Sequence, residues 1–198
     1  NLTFEDITEK SGLKAEGWCY GIAVVDINQD GYQDFYICKS GNKNTPALQR
    51  RNYFFINNGL SPSPNGEGRG EVTFTESAAK MGLDDDGYDV QAAFFDYDKD
   101  GDLDMYLMRN SFVSYNRNNA REMKSDMETS STTDKLFRND GPVVSLPSGG
   151  RKGGFTDVSK EAGITIEGFG LGVAVCDINK DNWPDVYVSN DFITSDLV

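Results

Sequence analysis

Oxygen-bearing side chains recur at one fixed spacing in three places along this chain: Asp26, Asn28, Asp30 and Asp34; Asp96, Asp98, Asp100 and Asp104; and Asp177, Asn179, Asp181 and Asp185. Each set fills positions 1, 3, 5 and 9 of a nine-residue loop whose sixth residue is Gly31, Gly101 or Asn182. Such side chains converge on one point only if the backbone curls tightly around it. Gly or Asn at position 6 tolerates the left-handed turn that the curl requires. A ring of hard oxygen donors is chemistry for a hard cation, and an irregular cage of six to eight oxygens suits Ca2+ better than Mg2+, which needs a near-ideal octahedron. The position-7 residues Tyr32, Asp102 and Trp183 would complete the ring through their backbone carbonyls. Zinc does not suit these donors, because the chain has no histidine and its three cysteines lie far apart. About three calcium ions, one per loop, are expected.

The spacing matches the first half of an EF-hand, whose twelfth residue is a bidentate Glu. Here the twelfth residue is Ile37, Leu107 or Val188, which rules out an ordinary EF-hand as well as the Asp-terminated loops of dockerins and thrombospondin-type repeats. Short runs rich in β-branched and aromatic residues flank each loop: 21–25, 91–95 and 172–176 before it, 34–38, 104–108 and 185–189 after it. Each loop therefore joins the two strands of a hairpin. Because each carries its own ligands, the three sites are expected to bind independently. Four carboxylates in the central loop against three in each of the others predict the order of affinity central, first, third, with Asn182 a further handicap for the third.

The period extends beyond the loops. A Phe-x-acid segment ending in a small residue or Met, Gly and an aliphatic recurs at Phe4 to Leu13, Phe74 to Leu83 and Phe155 to Ile164, and from the Phe to the first loop Asp is always 22 residues. One more apolar run, ending in Asn57-Asn58-Gly59 or Asn139-Asp140-Gly141, separates the loop hairpin from the next Phe. Four antiparallel strands per unit at this period are the sequence form of a β-propeller blade. The fold class expected is all-β, a partial arc of two complete four-stranded blades. Residues 1–20 would be the outer strand and linker of a preceding blade, 21–78 the blade with loop 1, 79–158 the blade with loop 2, and 159–198 an incomplete blade with loop 3. Phe4, Phe74 and Phe155 are expected to pack between blades.

These residues resemble the FG-GAP and VCBS repeat proteins, calcium-bearing propellers that include integrin α heads, and within them the secreted ASPIC/UnbV group related to cartilage acidic protein. The likeness rests on the Asp-x-Asn/Asp-x-Asp-Gly-x-x-Asp loop followed by an aromatic-aliphatic strand, on Leu136-Phe137-Arg138-Asn139-Asp140-Gly141, on Phe155-Thr156-Asp157-Val158 and on Tyr187-Val188-Ser189-Asn190-Asp191-Phe192. It covers nearly the whole chain. Departures are Asn182 for Gly, insertions at about 60–71 and 110–133, and no segment matching the family's separate C-terminal domain. Since a closed propeller takes about four to eight blades, the expectation is an excerpt continuous with further blades, the alternative being closure against another chain. The resemblance and the calcium chemistry together imply export to an extracellular, cell-surface or periplasmic setting, because loops of modest affinity fill only where calcium is near millimolar.

Composition narrows the function classes. The net charge of −13 and pI of 4.4 argue against a nucleic-acid partner, whose footprint would be basic. About a third of the acidic residues lie in the three loops. No run of about 18 apolar residues is present, so no membrane-spanning helix is expected. Cys38 and Cys176 fall at strand positions occupied elsewhere by Met108, Ser189, Val25 and Phe95, which predicts buried free thiols rather than a disulfide. Asp84-Asp85-Asp86-Gly87 reads as an acidic surface turn, and Asn119–Glu128, with Met123 and Met127 four apart, as a short helix in the second insertion. Without histidine there is no Ser-His-Asp or Cys-His nucleophile, and no enzyme is expected. The function expected is a calcium-stabilised binding scaffold for a protein or glycan. The alternatives are part of a propeller-scaffold polysaccharide lyase or hydrolase, and a structural component of a surface or secretion assembly.

Overall fold

A computed structural model describes residues 3–61, 70–110, 131–147, 150–165, 168–191 and 196–198. Twelve strands and three one-turn helices follow in chain order. They are α1 (Thr8–Ser11), β1 (Cys19–Val25), β2 (Asp34–Lys39), α2 (Ala47–Arg50), β3 (Tyr53–Leu60), β4 (Val72–Glu76), α3 (Ala78–Met81), β5 (Asp89–Phe95) and β6 (Asp104–Arg109). Then come β7 (Lys135–Asn139), β8 (Val144–Ser145), β9 (Arg151–Lys152), β10 (Phe155–Asp157), β11 (Gly170–Cys176) and β12 (Asp185–Asn190).

The strands form two four-stranded antiparallel sheets, β1-β2-β3-β4 and β5-β6-β7-β10, and two pairs, β11-β12 and β8-β9. Each acidic loop is the connection inside a hairpin: β1 to β2, β5 to β6, and β11 to β12. Register repeats between the two large sheets. Tyr36 stands opposite Phe54 as Tyr106 stands opposite Leu136, and Phe74 opposite Asn57 as Phe155 stands opposite Asn139. The strand preceding each loop also lies beside the next: β1 packs on β5 and β5 on β11.

Two apolar cores fill the spaces between the sheets. Tyr36 and Phe54 of the first sheet meet Phe94 of β5 with ring centroids 5.9 Å apart in both pairs, over fully buried Leu83, Met105 and Leu107. Tyr106, Met108, Leu136, Val158 and Val188 form the second core, between β5-β6-β7-β10 and β11-β12. Aromatic side chains crossing from sheet to sheet bury apolar surface shared by both, which makes the neighbours interdependent.

Four expectations need correction. Residues 3–7 form no strand, and Phe4 is 97% exposed, whereas Phe155 is buried and Phe74 half-buried. Phe74 and Phe155 gain cover from the strands they pair with, and no described strand lies beside Phe4. Cys38 is buried as expected, but Cys176 is exposed. Its counterpart Val25 is covered by the second sheet, and no described sheet covers that side of β11. The Asp84–Gly87 turn is not simply a solvated acidic surface: Asp85 Oδ1 forms an ion pair with buried Arg109, whose Nε also donates to Asp89 Oδ1 at 2.8 Å. Asn52 Nδ2 donates to the other oxygen of Asp89 at 2.7 Å, so this polar seam joins the first sheet to the second. The expected helix at 119–128 lies outside the described residues, as does most of both insertions.

Candidate metal centres

Within each loop the same backbone bonds recur. The position-1 carboxylate accepts from the N–H groups of positions 5 and 6: Asp26 from Asp30 and Gly31, Asp96 from Asp100 and Gly101, Asp177 from Asp181 and Asn182, at 2.9–3.1 Å. The position-5 carboxylate accepts from position 7, where the N–H groups of Tyr32, Asp102 and Trp183 reach Asp30, Asp100 and Asp181 at 2.7–2.9 Å. These bonds satisfy the donors left over by the turn and hold the carboxylates on its inner side. Position 6 is left-handed as expected, with φ of 87° at Gly31, 96° at Gly101 and 70° at Asn182. Position 4 is left-handed as well, with φ of 55° at Gln29, 62° at Lys99 and 64° at Lys180, which nothing in those residue types signals.

Position 9 is held by backbone donors from beyond its own turn. Asp34 is fully buried and accepts from Ile27 N at 3.0 Å and from Asn57 N at 2.8 Å; Asp104, also fully buried, accepts from Tyr97 N at 2.9 Å and Asn139 N at 2.8 Å. Asp185 keeps the first of these bonds, from Ile178 N at 2.8 Å. In the first two loops the position-9 carboxylate therefore ties its loop to the third strand of its own sheet. Asn57 and Asn139 return the contact, their side-chain amides donating to Gln33 O and Leu103 O. Burial pushes Asp34 above the usual carboxylate range, and pushes Asp104 up to about 6, against the lowering effect of the two N–H donors.

The loops differ at position 3. Asn28 Nδ2 donates to Asp30 Oδ2 at 2.9 Å and Asn179 Nδ2 to Asp181 Oδ2 at 3.0 Å. Asp98 has no proton to give, and its Oδ1 is buried without a hydrogen-bond partner. Asp96, Asp98 and Asp104 each offer a carboxylate oxygen within 4.8 Å of the other two. Asp100 stands outside that group, its Oδ1 taken by the Asp102 N–H.

The donor set fits calcium. Ligand distances of about 2.3–2.6 Å separate oxygens on opposite sides of one ion by roughly 4.6–5.2 Å, and the central three lie within that span. All are hard oxygens, and the buried unpartnered Asp98 Oδ1 is costly unless a cation satisfies it. Asp96, Asp98 and Asp104 would hold the ion in the central loop, with Asp100 and the Asp102 carbonyl as further donors. Among the described residues the carboxylates of the first loop (Asp26, Asp30, Asp34) and of the third (Asp177, Asp181, Asp185) form no such cluster; with Asn28, Asn179 and the Tyr32 and Trp183 carbonyls they would offer the same kinds of donor.

A second recurrent constellation escaped sequence analysis. At the other end of each loop hairpin an Asx side chain accepts from a backbone N–H: Asn52 from Lys39 at 2.7 Å, Asp134 from Arg109 at 2.7 Å and Asp196 from Asn190 at 2.9 Å. The same Asx bonds the hydroxyl of the strand tyrosine two residues past the loop, Tyr36, Tyr106 or Tyr187. No sequence pattern announced it, because the Asx lies at 16, 28 and 9 residues from its tyrosine in the three cases. Burial pushes Asp134 up to about 6.

No family model matches the chain, and a search of curated proteins finds no match either.

Proposed function

We propose that this chain is an arc of a calcium-binding β-propeller of the FG-GAP/VCBS type, with 21–78 and 79–158 as blades, and that it serves as an exported scaffold presenting its surface to a protein or glycan. The observation that carries the calcium reading is the central cluster: three carboxylate oxygens within 4.8 Å of one another, one of them buried and unpartnered, on a loop whose backbone bonds recur twice more. Support for the propeller comes from strands β1, β5 and β11 lying side by side with a sheet or strand pair fanning from each. Calcium would act as a structural clamp, neutralising carboxylates that otherwise repel one another across the turn.

Bound calcium counted by elemental analysis, with melting curves in calcium and in excess chelator, tests this reading. About three ions per chain and a marked fall in Tm on chelation are expected. An unchanged melting curve after confirmed metal loss would sink the structural role.

A further inference from the structure

The three loops touch. Gln29, fourth in the first loop, donates from Nε2 to the carbonyl of Gly101, sixth in the second, at 3.2 Å across 72 residues of sequence. Lys99, fourth in the second loop, holds its Nζ 3.8 Å from the centre of the Trp183 ring, seventh in the third. Both contacts leave from the same loop position, and at that position the backbone is left-handed in every loop. L-residues adopt that conformation at a cost, which the turn imposes three times on residues with long side chains. The neighbours of position 4 are the oxygen donors at positions 3 and 5, so a shift of those donors moves the side chain that grips the next loop.

The receiving ends are equally close to ligands. The Gly101 carbonyl shares a peptide plane with the Asp102 N–H, which donates to Asp100 Oδ1 at 2.9 Å. Gln29 and Asp100 thus hold that plane from its two sides. Trp183 is anchored by its own N–H to Asp181 Oδ1 at 2.7 Å, so the indole gripped by Lys99 is one hydrogen bond from a donor of the third loop.

We propose that the three cation sites form a coupled row with the central loop as its hub, so that filling the central site strengthens calcium binding in its neighbours through Gln29 and Lys99. The proposal rests on the calcium reading given above. An ion drawing Asp96, Asp98 and Asp104 together fixes the backbone at positions 99 and 101, and so removes freedom that the adjoining loops would otherwise lose when they bind. Repulsion between neighbouring ions acts the other way, but through solvent it is screened over a Debye length of about 8 Å. Exposed contacts of this kind are individually weak, so the coupling falls at the lower end of the usual range, about fivefold.

Trp18 and Trp183 are the two tryptophans of the chain, so Trp18→Phe leaves Trp183 as the indole reporter of the third loop. In that background calcium titrations followed by Trp183 fluorescence are compared for the parent, Asp100→Ala, Lys99→Gln and the double variant. Gln occupies the equivalent left-handed position in the first loop, so Lys99→Gln cuts the cationic contact without a new backbone demand. Asp100→Ala is expected to raise the third-site Kd about fivefold, and to have no such effect once Lys99→Gln is present. Asp98→Ala, which removes a member of the central cluster, replaces it should that variant not fold, and equilibrium dialysis of calcium counts the ions each variant binds. An unchanged third-site Kd in Asp100→Ala overturns the coupling, as does an equal loss with and without Lys99. In the unmutated chain, bound ions with independent affinities overturn the coupling alone, and no bound ions overturn the calcium reading with it.

Discussion

Position 3 separates the central loop from its neighbours by a single atom type. An amide at Asn28 or Asn179 satisfies the position-5 carboxylate, whereas Asp98 leaves one of its own oxygens buried and unpaired. Without cation the central loop carries more unrelieved repulsion than the others, and with cation it has the most to gain. Asp98→Asn should therefore raise Tm in chelator, by about 0.5–1.5 kcal/mol of stability if the new amide bonds Asp100, and lower calcium affinity at that site. Affinity should run central, first, third, with Asn182 costing the third loop some of the ease that glycine gives at φ of 87° and 96°. Stepwise chelator competition on single-site variants checks the order, and a central site that empties first contradicts it. The position-6 turn was legible because Gly and Asn are restrictive types there, and the grouping of Asp96, Asp98 and Asp104 because of their fixed spacing. The position-4 turn was not: Gln29, Lys99 and Lys180 carry no mark of left-handed backbone.

For the elements, the buried position-9 carboxylates Asp34 and Asp104 have a structural part to play whether or not a cation is bound. Asp104→Ala strands two N–H groups, one buried on Asn139 and one part-buried on Tyr97, and should cost about 2–4 kcal/mol even in chelator. Asp100→Ala, at an exposed position with one N–H to release, should cost under about 1 kcal/mol there. Paired urea denaturation in chelator distinguishes the two roles. The Asx-tyrosine latch gives a pH prediction. Burial pushes Asp134 up to about 6 from the 3.8 of a free aspartate, so its contribution is most favourable below about pH 4 and is lost as pH rises to about 6. Asp134→Asn should therefore gain roughly 2–3 kcal/mol at pH 7.5 and nothing at pH 4, read as the difference in melting between variant and parent at each pH. Asn52 already occupies the same place in the first sheet, accepting from Lys39 N and donating to Tyr36 Oη. Strand existence and the loop hairpins were legible from alternation and the acidic turns, but Asn57-Asn58-Gly59, turn-prone as sequence, lies within β3 at an irregularity of its pairing with β4. Partners such as Arg109 for Asp85, or Asn139 for Asp104, were not, since each arrives from another strand at no fixed spacing.

On the scale of the whole molecule, what the periodic sequence leaves open is how closely the sheets approach. Gly21 in β1 and Gly172 in β11 each stand five residues before the first loop aspartate, so as sequence they are equivalent. Their surroundings differ. A Cβ on Gly21 would come 2.1 Å from the Val90 carbonyl oxygen of β5, a backbone atom with no rotamer to yield, while one on Gly172 would meet, among the described residues, only Ser189 Oγ at 3.4 Å. The first contact is where β1 lies against β5, above the aromatic cluster of Tyr36, Phe54 and Phe94 that both sheets share. Gly21→Ala must therefore push the two sheets apart and loosen that cluster, at about 1–3 kcal/mol as for other overpacked sites. Gly172→Ala fills an ordinary van der Waals gap and reduces the freedom of the unfolded strand, so it should be neutral or gain up to about 1 kcal/mol. Thermal denaturation of both variants in saturating calcium decides the matter: equal effects would mean that β1 and β5 can separate freely, and that the sheets are held by their loops rather than by the core between them.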